Sequence, residues 1–172
     1  MPRSQISTAR SPPRKRLDTW RNTSTFDRYK TLRKVADLMR QRAPAIAQII
    51  SFEQGKPIEE ARLEADLAGD LIDWFAEEAR RAYGRIVPPR LGNVEQLVIK
   101  EPVGPVAAFT PWNVPVNQAV RKMGPALAAG CSIVLKGPED APASCMELFR
   151  AFVDGGVPAG VVNLVWHTAR SV

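Results

Sequence analysis

The stretch that decides the fold is VGPVAAFTPWN, which occupies residues 103–113. Its first part, residues 103–109, is a short apolar run, and such a run predicts a buried β-strand. Two later runs, residues 132–135 and 161–165, have the same character and predict a second and a third strand. The polar end of the quoted stretch would therefore lie just beyond the end of the first strand.

Helical segments separate these three runs. Residues 116–129 predict a helix that stops at Gly130, and residues 143–153 predict another that stops at Gly155. The resulting β-α-β-α-β order implies a parallel sheet with right-handed crossovers. Three strands with two crossover helices amount to half of a doubly wound, Rossmann-like sheet, so the predicted fold class is α/β.

The residues upstream of the sheet are predicted to form helices and then a hairpin. Apolar side chains at residues 26–39 recur at spacings of three and four, which predicts one helix. Pro44 is expected to open a second helix, and apolar residues at 63–75 mark a third, which Gly84 closes. Turn residues and a β-rich run follow, so residues 85–100 are expected to form a β-hairpin or an exposed arm.

The composition is that of a soluble globular protein. Of the 172 residues, 45% are hydrophobic and 24% are charged, and no apolar run is long enough to cross a bilayer. The net charge of +6 is concentrated in residues 1–16, which hold five basic residues and no acidic one. We therefore expect a disordered basic tail over residues 1–18, with an organelle transit peptide as the alternative, and neither a nucleic-acid nor a membrane partner.

The cysteines and the histidine do not form a metal-binding pattern. Cys131 and Cys145 lack metal-ligand spacing, and His167 has no nearby Cys, Asp or Glu. We expect no metal site, no disulfide framework and a reduced, cytoplasmic location.

Two polar segments follow the first two predicted strands, at the sheet edge where ligands of open α/β sheets bind. In the first segment, the side-chain NH2 of Asn113 could stabilise an oxyanion. Capping of the next helix is the commoner role for an asparagine at such a place, and spacing alone favours it.

The second segment contains Lys136 and Glu139. Lys136 could meet a phosphate or a ribose hydroxyl, and Glu139 could accept both hydroxyls of a ribose, which favours NAD over NADP. A solvated lysine at a strand end and a carboxylate at a helix N-terminus are the simpler alternatives, and spacing alone favours them. The Gly-x-Gly-x-x-Gly dinucleotide fingerprint is absent after the first strand.

Several longer motif blocks stand in a fixed order along the chain. They are Glu53-Gln54-Gly55-Lys56-Pro57, Trp74-Phe75-Ala76-Glu77-Glu78, Glu101-Pro102-Val103-Gly104-Pro105, Thr110-Pro111-Trp112-Asn113, Gly124-Pro125-Ala126-Leu127-Ala128-Ala129-Gly130-Cys131, Leu135-Lys136 and Gly155-Gly156-Val157-Pro158-Ala159-Gly160-Val161. These blocks resemble the aldehyde dehydrogenase superfamily, most closely its succinate-semialdehyde dehydrogenase-like branch. The resemblance covers residues 19–165 and implies an N-terminal fragment with a partial NAD-binding domain.

The resemblance implies a Rossmann-like sheet that binds NAD, with NADP as the alternative, and does so without the glycine fingerprint. It assigns oxyanion stabilisation to Asn113 and the adenosine ribose to Lys136 and Glu139. Residues 85–100 would belong to an arm through which subunits form a homo-oligomer. The remaining assignments line the cofactor cleft: Phe109, Thr110, Pro111 and Trp112.

The chemistry that the resemblance implies is covalent: a cysteine thiolate attacks the aldehyde, hydride passes to NAD, and a glutamate-activated water releases the acid. In the family that cysteine and glutamate lie downstream of this chain, so the chain alone is predicted to be inactive. Residues 1–18 and 166–172 depart from the family pattern, from which we expect a truncated reading frame. The alternative function is a non-catalytic oligomerisation or interaction module.

Overall fold

The computed structural model describes residues 19–166. The predicted basic tail, residues 1–18, and residues 167–172 of the predicted C-terminal tail lie outside this range. In chain order the elements are α1 (Thr25–Gln54), α2 (Ile58–Ala79), β1 (Arg85–Val87), β2 (Gln96–Val98), β3 (Val106–Phe109), α3 (Pro115–Ala128), β4 (Ile133–Lys136), α4 (Pro142–Asp154) and β5 (Val162–Val165).

Strands β3, β4 and β5 form a parallel sheet in that order. The predicted β-α-β-α-β unit is therefore confirmed, and its elements begin and end close to the predicted residues. Because both crossovers run in the same direction along the sheet, right-handed connections place α3 and α4 on the same face. Helices α1 and α2 form a further layer, in which α1 contacts α4 and α2 contacts α3.

Successive side chains along each strand point to opposite faces of the sheet, one covered by helices and one open. Ala108, Ile133 and Leu135 lie on the covered face and are buried. Phe109 and Val134 lie on the other face, where they are 72% and 42% exposed. The strands that were predicted to be buried are thus buried on one face only, because no element within residues 19–166 covers the other.

Helix α1 runs without a break from Thr25 to Gln54, so the prediction that Pro44 opens a second helix is wrong. A proline inside a helix removes one hydrogen bond and costs about 3 kcal/mol. Here one buried face continues past the proline with helical spacing, and its burial outweighs that cost. Pro44 itself lies on the exposed side. The buried face consists of Leu32, Val35, Ala36, Met39, Ala43, Ile46, Ala47 and Ile50.

Helix α2 presents small side chains to the core. Leu63, Leu67 and Trp74, which mark this helix in the sequence, lie on its outer side and are 70%, 44% and 65% exposed. Small residues let neighbouring helices approach closely, and α2 contacts both α1 and α3. The inner face of α2 includes Ala61, Ala65, Ala68, Gly69, Ile72 and Ala76.

Strands β1 and β2 pair antiparallel, which confirms the predicted hairpin. The prediction that Gly84 closes the preceding helix is wrong, because α2 ends at Ala79. Gly84 instead lies beside the hairpin partner strand, where an added Cβ would come within 2.5 Å of the Val98 carbonyl oxygen. Much of the hairpin surface is apolar, with Ile86 and Leu97 85% and 62% exposed.

Side chains from the N-terminal part of the chain hold the C-terminus of α3. Trp20 Nε1 donates to the Leu127 carbonyl oxygen at 3.1 Å, and Arg28 Nε donates to the Ala128 carbonyl oxygen at 3.2 Å. Burial lowers the pKa of the Arg28 guanidinium. The carbonyl groups at a helix C-terminus carry partial negative charge, so they compensate a buried cation.

Candidate functional site

The ends of β3 and β4 meet at one edge of the sheet. Phe109 and Lys136 are register partners. The backbone N–H and the Oγ1 hydroxyl of Thr110 each lie 3.3 Å from the Lys136 carbonyl oxygen. Thr110 is buried, whereas Pro111 and Trp112 are exposed. The structure therefore brings together the two polar segments that follow these strands, at the edge where open α/β sheets bind ligands.

Asn113 lies in the bend before α3 and is exposed. It does not cap this helix, because the N-cap residue is Val114 and makes no side-chain cap. The backbone carbonyl oxygen of Asn113 accepts a hydrogen bond from Lys56 Nζ at 3.2 Å. Within residues 19–166 its side-chain NH2 donates to no protein group, so this donor can meet a ligand.

Lys136 and Glu139 form an ion pair across the turn that follows β4. Their side chains are 23% and 37% exposed, so the lysine is paired and half-buried rather than freely solvated. Glu139 precedes the N-cap of α4, which is Ala141. Between the two charged residues, an added Cβ at Gly137 would lie 2.3 Å from the ring of Trp166. An ammonium, a carboxylate and an aromatic ring are therefore held around one turn.

The N-terminus of α4 is capped by a residue to which the sequence assigned no role. Glu53, near the end of α1, accepts hydrogen bonds from the backbone N–H of Ala143 at 2.6 Å and of Ser144 at 2.8 Å. It also accepts one from the Ser144 hydroxyl. A carboxylate at this place satisfies unpaired N–H groups and interacts favourably with the helix dipole.

A buried ion pair holds the start of α3. Glu64 Oε1 accepts a hydrogen bond from the Val116 N–H at 3.0 Å, and Glu64 Oε2 lies 2.6 Å from Lys56 Nζ. The side-chain amide of Gln54 donates to the Trp112 carbonyl oxygen. The Glu-Gln-Gly-Lys block of the sequence, together with Glu64, thus contacts the N-terminal ends of both crossover helices.

Carboxylates at both helix N-termini restrict what can bind at this edge. A free helix N-terminus attracts phosphate groups, but Glu53 and Glu64 already occupy these two. The phosphates of a dinucleotide would be repelled there, which agrees with the absence of the glycine fingerprint after β3. The other polar groups at this edge are the Lys136–Glu139 ion pair and the side-chain amide of Asn113.

Other chemistry is limited among the residues that the structure describes. Both cysteines are buried, and burial, with a smaller contribution from the Glu53 carboxylate, raises the pKa of the Cys145 thiol to about 12. In residues 19–166 no group of three or more His, Cys, Asp or Glu side chains is placed to hold a metal ion. No helix in this range has both the length and the apolar character needed to span a membrane.

A parallel α/β sheet with polar loops converging at its carboxyl edge belongs to the open α/β class, whose members bind ligands at that edge. The model of the aldehyde dehydrogenase family matches residues 2–172, and the chain belongs to this family. The resemblance and the fold class predicted from the sequence are thereby confirmed.

Known relatives extend this finding. 4-(Hydroxymethyl)benzenesulfonate dehydrogenase TsaD1 of Comamonas testosteroni is 45% identical over 156 residues, which are 91% of this chain and 33% of that protein. Succinate-semialdehyde dehydrogenase [NADP(+)] GabD of Escherichia coli is 42% identical over 156 residues, 91% of this chain and 32% of that protein. The crystal structure of betaine aldehyde dehydrogenase from Staphylococcus aureus in complex with NAD+ matches with a TM-score of 0.86 at 32% identity, covering 91% of this chain and 31% of that one. The chain thus spans about a third of the length of these relatives.

Proposed function

We propose that this chain supplies part of the site of an NAD(P)-dependent aldehyde dehydrogenase, which oxidises an aldehyde or semialdehyde to the carboxylic acid. Membership of the aldehyde dehydrogenase family supports this oxidoreductase class. The observation that carries the proposal is the junction of β3 and β4, where Thr110 bonds to Lys136. This junction brings the loop bearing Asn113 next to the turn bearing Glu139.

Asn113 is the residue to which we assign oxyanion stabilisation. Negative charge develops on the aldehyde oxygen when a nucleophile adds to the carbonyl carbon, and a fixed N–H donor stabilises that charge more than the starting carbonyl. The side-chain NH2 of Asn113 offers an N–H donor, and the backbone carbonyl of the same residue is held by Lys56. The amide is therefore presented by an anchored loop.

Lys136 and Glu139 are the residues to which we assign the cofactor's adenosine ribose. NAD(P), when bound, supplies the hydride acceptor. The Glu139 carboxylate accepts hydrogen bonds from ribose hydroxyls and repels a 2′-phosphate, so we expect NAD to be preferred over NADP. The relatives differ here, since one is named for NADP(+) and another was crystallised with NAD+. The cleft beside the ribose would be lined by Phe109, Thr110, Pro111 and Trp112.

Titration of the purified chain with NAD+ and NADP+, followed by calorimetry, tests this assignment. The wild-type chain should bind NAD+ more tightly than NADP+, and Glu139→Ala should weaken NAD+ binding about tenfold, because a charge-assisted hydrogen bond contributes about 1.5 kcal/mol or more. Glu147→Ala is the matched control, since this carboxylate lies on α4 and pairs with Arg150. Equal NAD+ affinities of wild type and Glu139→Ala would remove the ribose assignment.

The chain alone is expected to bind cofactor without oxidising aldehyde. Covalent oxidation needs an accessible thiolate. Cys131 is only 3% exposed, and the raised pKa of buried Cys145 keeps its thiol protonated at neutral pH. Neither cysteine offers a nucleophile, so NADH absorbance should not rise when the purified chain is mixed with NAD+ and an aldehyde. Steady NADH formation at stoichiometric enzyme concentrations would contradict this expectation.

The hairpin supports a second candidate function, assembly of this chain with another copy of itself. Ile86, Leu97 and Ile99 are 85%, 62% and 75% exposed. A short two-stranded sheet with exposed apolar side chains offers both an edge and a surface for pairing with another chain. Sedimentation analysis should show oligomers that Leu97→Asp shifts towards monomer, with Glu95→Asp as the control. A wild-type chain that stays monomeric at about 100 μM would contradict this function, because any interface with a Kd well below that concentration would be occupied.

A further inference from the structure

A buried ion pair, Lys56 with Glu64, makes hydrogen bonds to the backbone both at Asn113 and at the start of α3. Lys56 Nζ lies 2.6 Å from Glu64 Oε2 and donates to the Asn113 carbonyl oxygen at 3.2 Å. The other carboxylate oxygen of Glu64 accepts the Val116 N–H at 3.0 Å. The loop is therefore held at its bend by the ammonium and at the start of α3 by the carboxylate.

Both members of this ion pair are largely buried. The side chains of Lys56 and Glu64 are only 17% and 4% exposed. An isolated charge at such a depth is costly, so each group needs the other and the hydrogen bonds around it. Moving either side chain would break these contacts, so the backbone carbonyl of Asn113 and the N–H of Val116 are held by the same ion pair.

The pair is also tied to rigid elements. Glu64 belongs to α2. Lys56 follows the C-cap of α1, where Gly55 adopts a left-handed conformation with φ 66°. The Ser51 hydroxyl donates to the Lys56 carbonyl oxygen at 2.7 Å, which fixes the turn. The C-terminal turn of α1, a helix of 30 residues, therefore places Lys56 next to the loop.

Capping of α3 explains Glu64 but not the second bond of Lys56. A helix cap needs an acceptor for the first N–H groups, and Glu64 supplies it. The bond from Lys56 goes instead to the carbonyl of Asn113, which precedes the N-cap residue Val114. This bond holds the peptide group of Asn113, next to the side-chain amide that makes no hydrogen bond within residues 19–166.

We propose that Lys56 and Glu64 are positioning residues that hold the backbone from which the Asn113 side-chain amide projects. The inference rests on the proposed function, in which Asn113 stabilises an oxyanion. A donor stabilises a developing charge only when it is already held in place, and a misplacement of about 1 Å at a reacting centre can cost about a hundredfold in rate. In this chain the ion pair holds the backbone on both sides of that donor before any ligand binds.

The variant that tests the proposal is Lys56→Met/Glu64→Gln. It removes both charges together, so no unpaired charge is left buried. The glutamine oxygen can still accept the Val116 N–H, and the methionine fills the space of the lysine stem. Lys56→Arg retains a cation with several donors and serves as the rescue variant. The ion pair on α4, in which Arg150 is exposed, gives a matched control, Arg150→Met/Glu147→Gln.

The measurement is nitrogen relaxation of the Asn113 side-chain NH2 in the labelled chain, together with the unfolding midpoint. We expect the same order parameter in the wild type, the control and Lys56→Arg, and a clearly lower one in Lys56→Met/Glu64→Gln. An unchanged order parameter in the charge-free variant would overturn the proposal, and so would a loss that Lys56→Arg shares. A purely structural role would lower the unfolding midpoint without changing the Asn113 signal.

This readout needs no cofactor, so the two proposals can fail separately. If the chain binds no NAD+ while the charge-free variant loosens Asn113, the proposed function is contradicted and the positioning contact stands. If NAD+ binds through Glu139 and Asn113 stays rigid without the ion pair, the positioning role alone is contradicted.

Discussion

Cys145 shows how burial changes the chemistry of one residue. Its side chain is fully buried in the core around α4, and this burial raises the pKa of the thiol from 9.0 to about 12. In the unfolded chain the same thiol ionises near its ordinary pKa. Between these two values the folded state holds a proton that the unfolded state has released, so rising pH favours unfolding.

The resulting prediction concerns alkaline stability. Above pH 9 the free energy of unfolding should fall by about 1.4 kcal/mol per pH unit relative to Cys145→Ala, in which this group cannot ionise. Below pH 9 the two proteins should keep a constant difference, because the thiol is protonated in both states. Urea unfolding of both proteins between pH 7 and pH 11 provides the measurement. If the free energies of unfolding of the two proteins differed by the same amount at every pH, folding would not raise the pKa of the Cys145 thiol.

The sequence predicted the candidate site residues but not those that support them. Asn113, Lys136 and Glu139 follow apolar runs, so their place at strand ends could be inferred from local pattern. The contacts of Glu53 cross 90 and 91 residues of chain, and Lys56 reaches Asn113 across 57 residues. No local spacing records such pairs, because the partners meet only after the helices pack.

At the scale of elements, the two crossover helices depend on carboxylates from the N-terminal layer. Neither helix has a side-chain cap from its own N-cap residue. Glu53→Ala would leave the Ala143 and Ser144 N–H groups without their acceptor, which should cost about 2 kcal/mol of unfolding free energy. Asp66→Ala, at an exposed position on α2, should change it by less than about 0.5 kcal/mol. Equal midpoints for the two variants in thermal unfolding would show that the cap contributes nothing.

Elements with a clear period were predicted well, and those decided by packing were not. The three strands and two crossover helices of the sheet lie close to their predicted positions, because apolar runs and glycine stops mark them locally. Pro44 was given too much weight, since its local cost is outweighed by burial along the whole of α1. The glycine pattern predicted a helix stop at Gly84, whereas in the structure this residue packs closely against Val98 of β2.

At the scale of the whole molecule, long-range contacts join the part of the chain before the hairpin to the part after it. Glu53 and Lys56 lie before the hairpin, whereas their partners Ser144 and Asn113 lie after it. Helices α1 and α2 pack against α3 and α4 across the same division. The hairpin itself contributes little to this core, because nearly all of its residues are exposed.

This arrangement predicts where a protease cuts the folded chain. Arg90 lies in the exposed turn of the hairpin, while Arg62 is also exposed but lies within α2. Proteases need locally opened backbone, which is least costly where few apolar contacts and hydrogen bonds must be broken. Within residues 19–166, limited trypsin digestion should therefore cleave first after Arg90.

The two pieces should stay associated after this cut, because the helix layer and the sheet remain packed across it. Gel filtration after digestion should show both pieces in one peak, and mass spectrometry should identify the cleavage site. Arg90→Gln should slow the first cut, since the nearest remaining sites flank the turn rather than lie in it. Early cleavage after Arg62, or separation of the pieces without denaturant, would mean that α2 does not hold the two parts together.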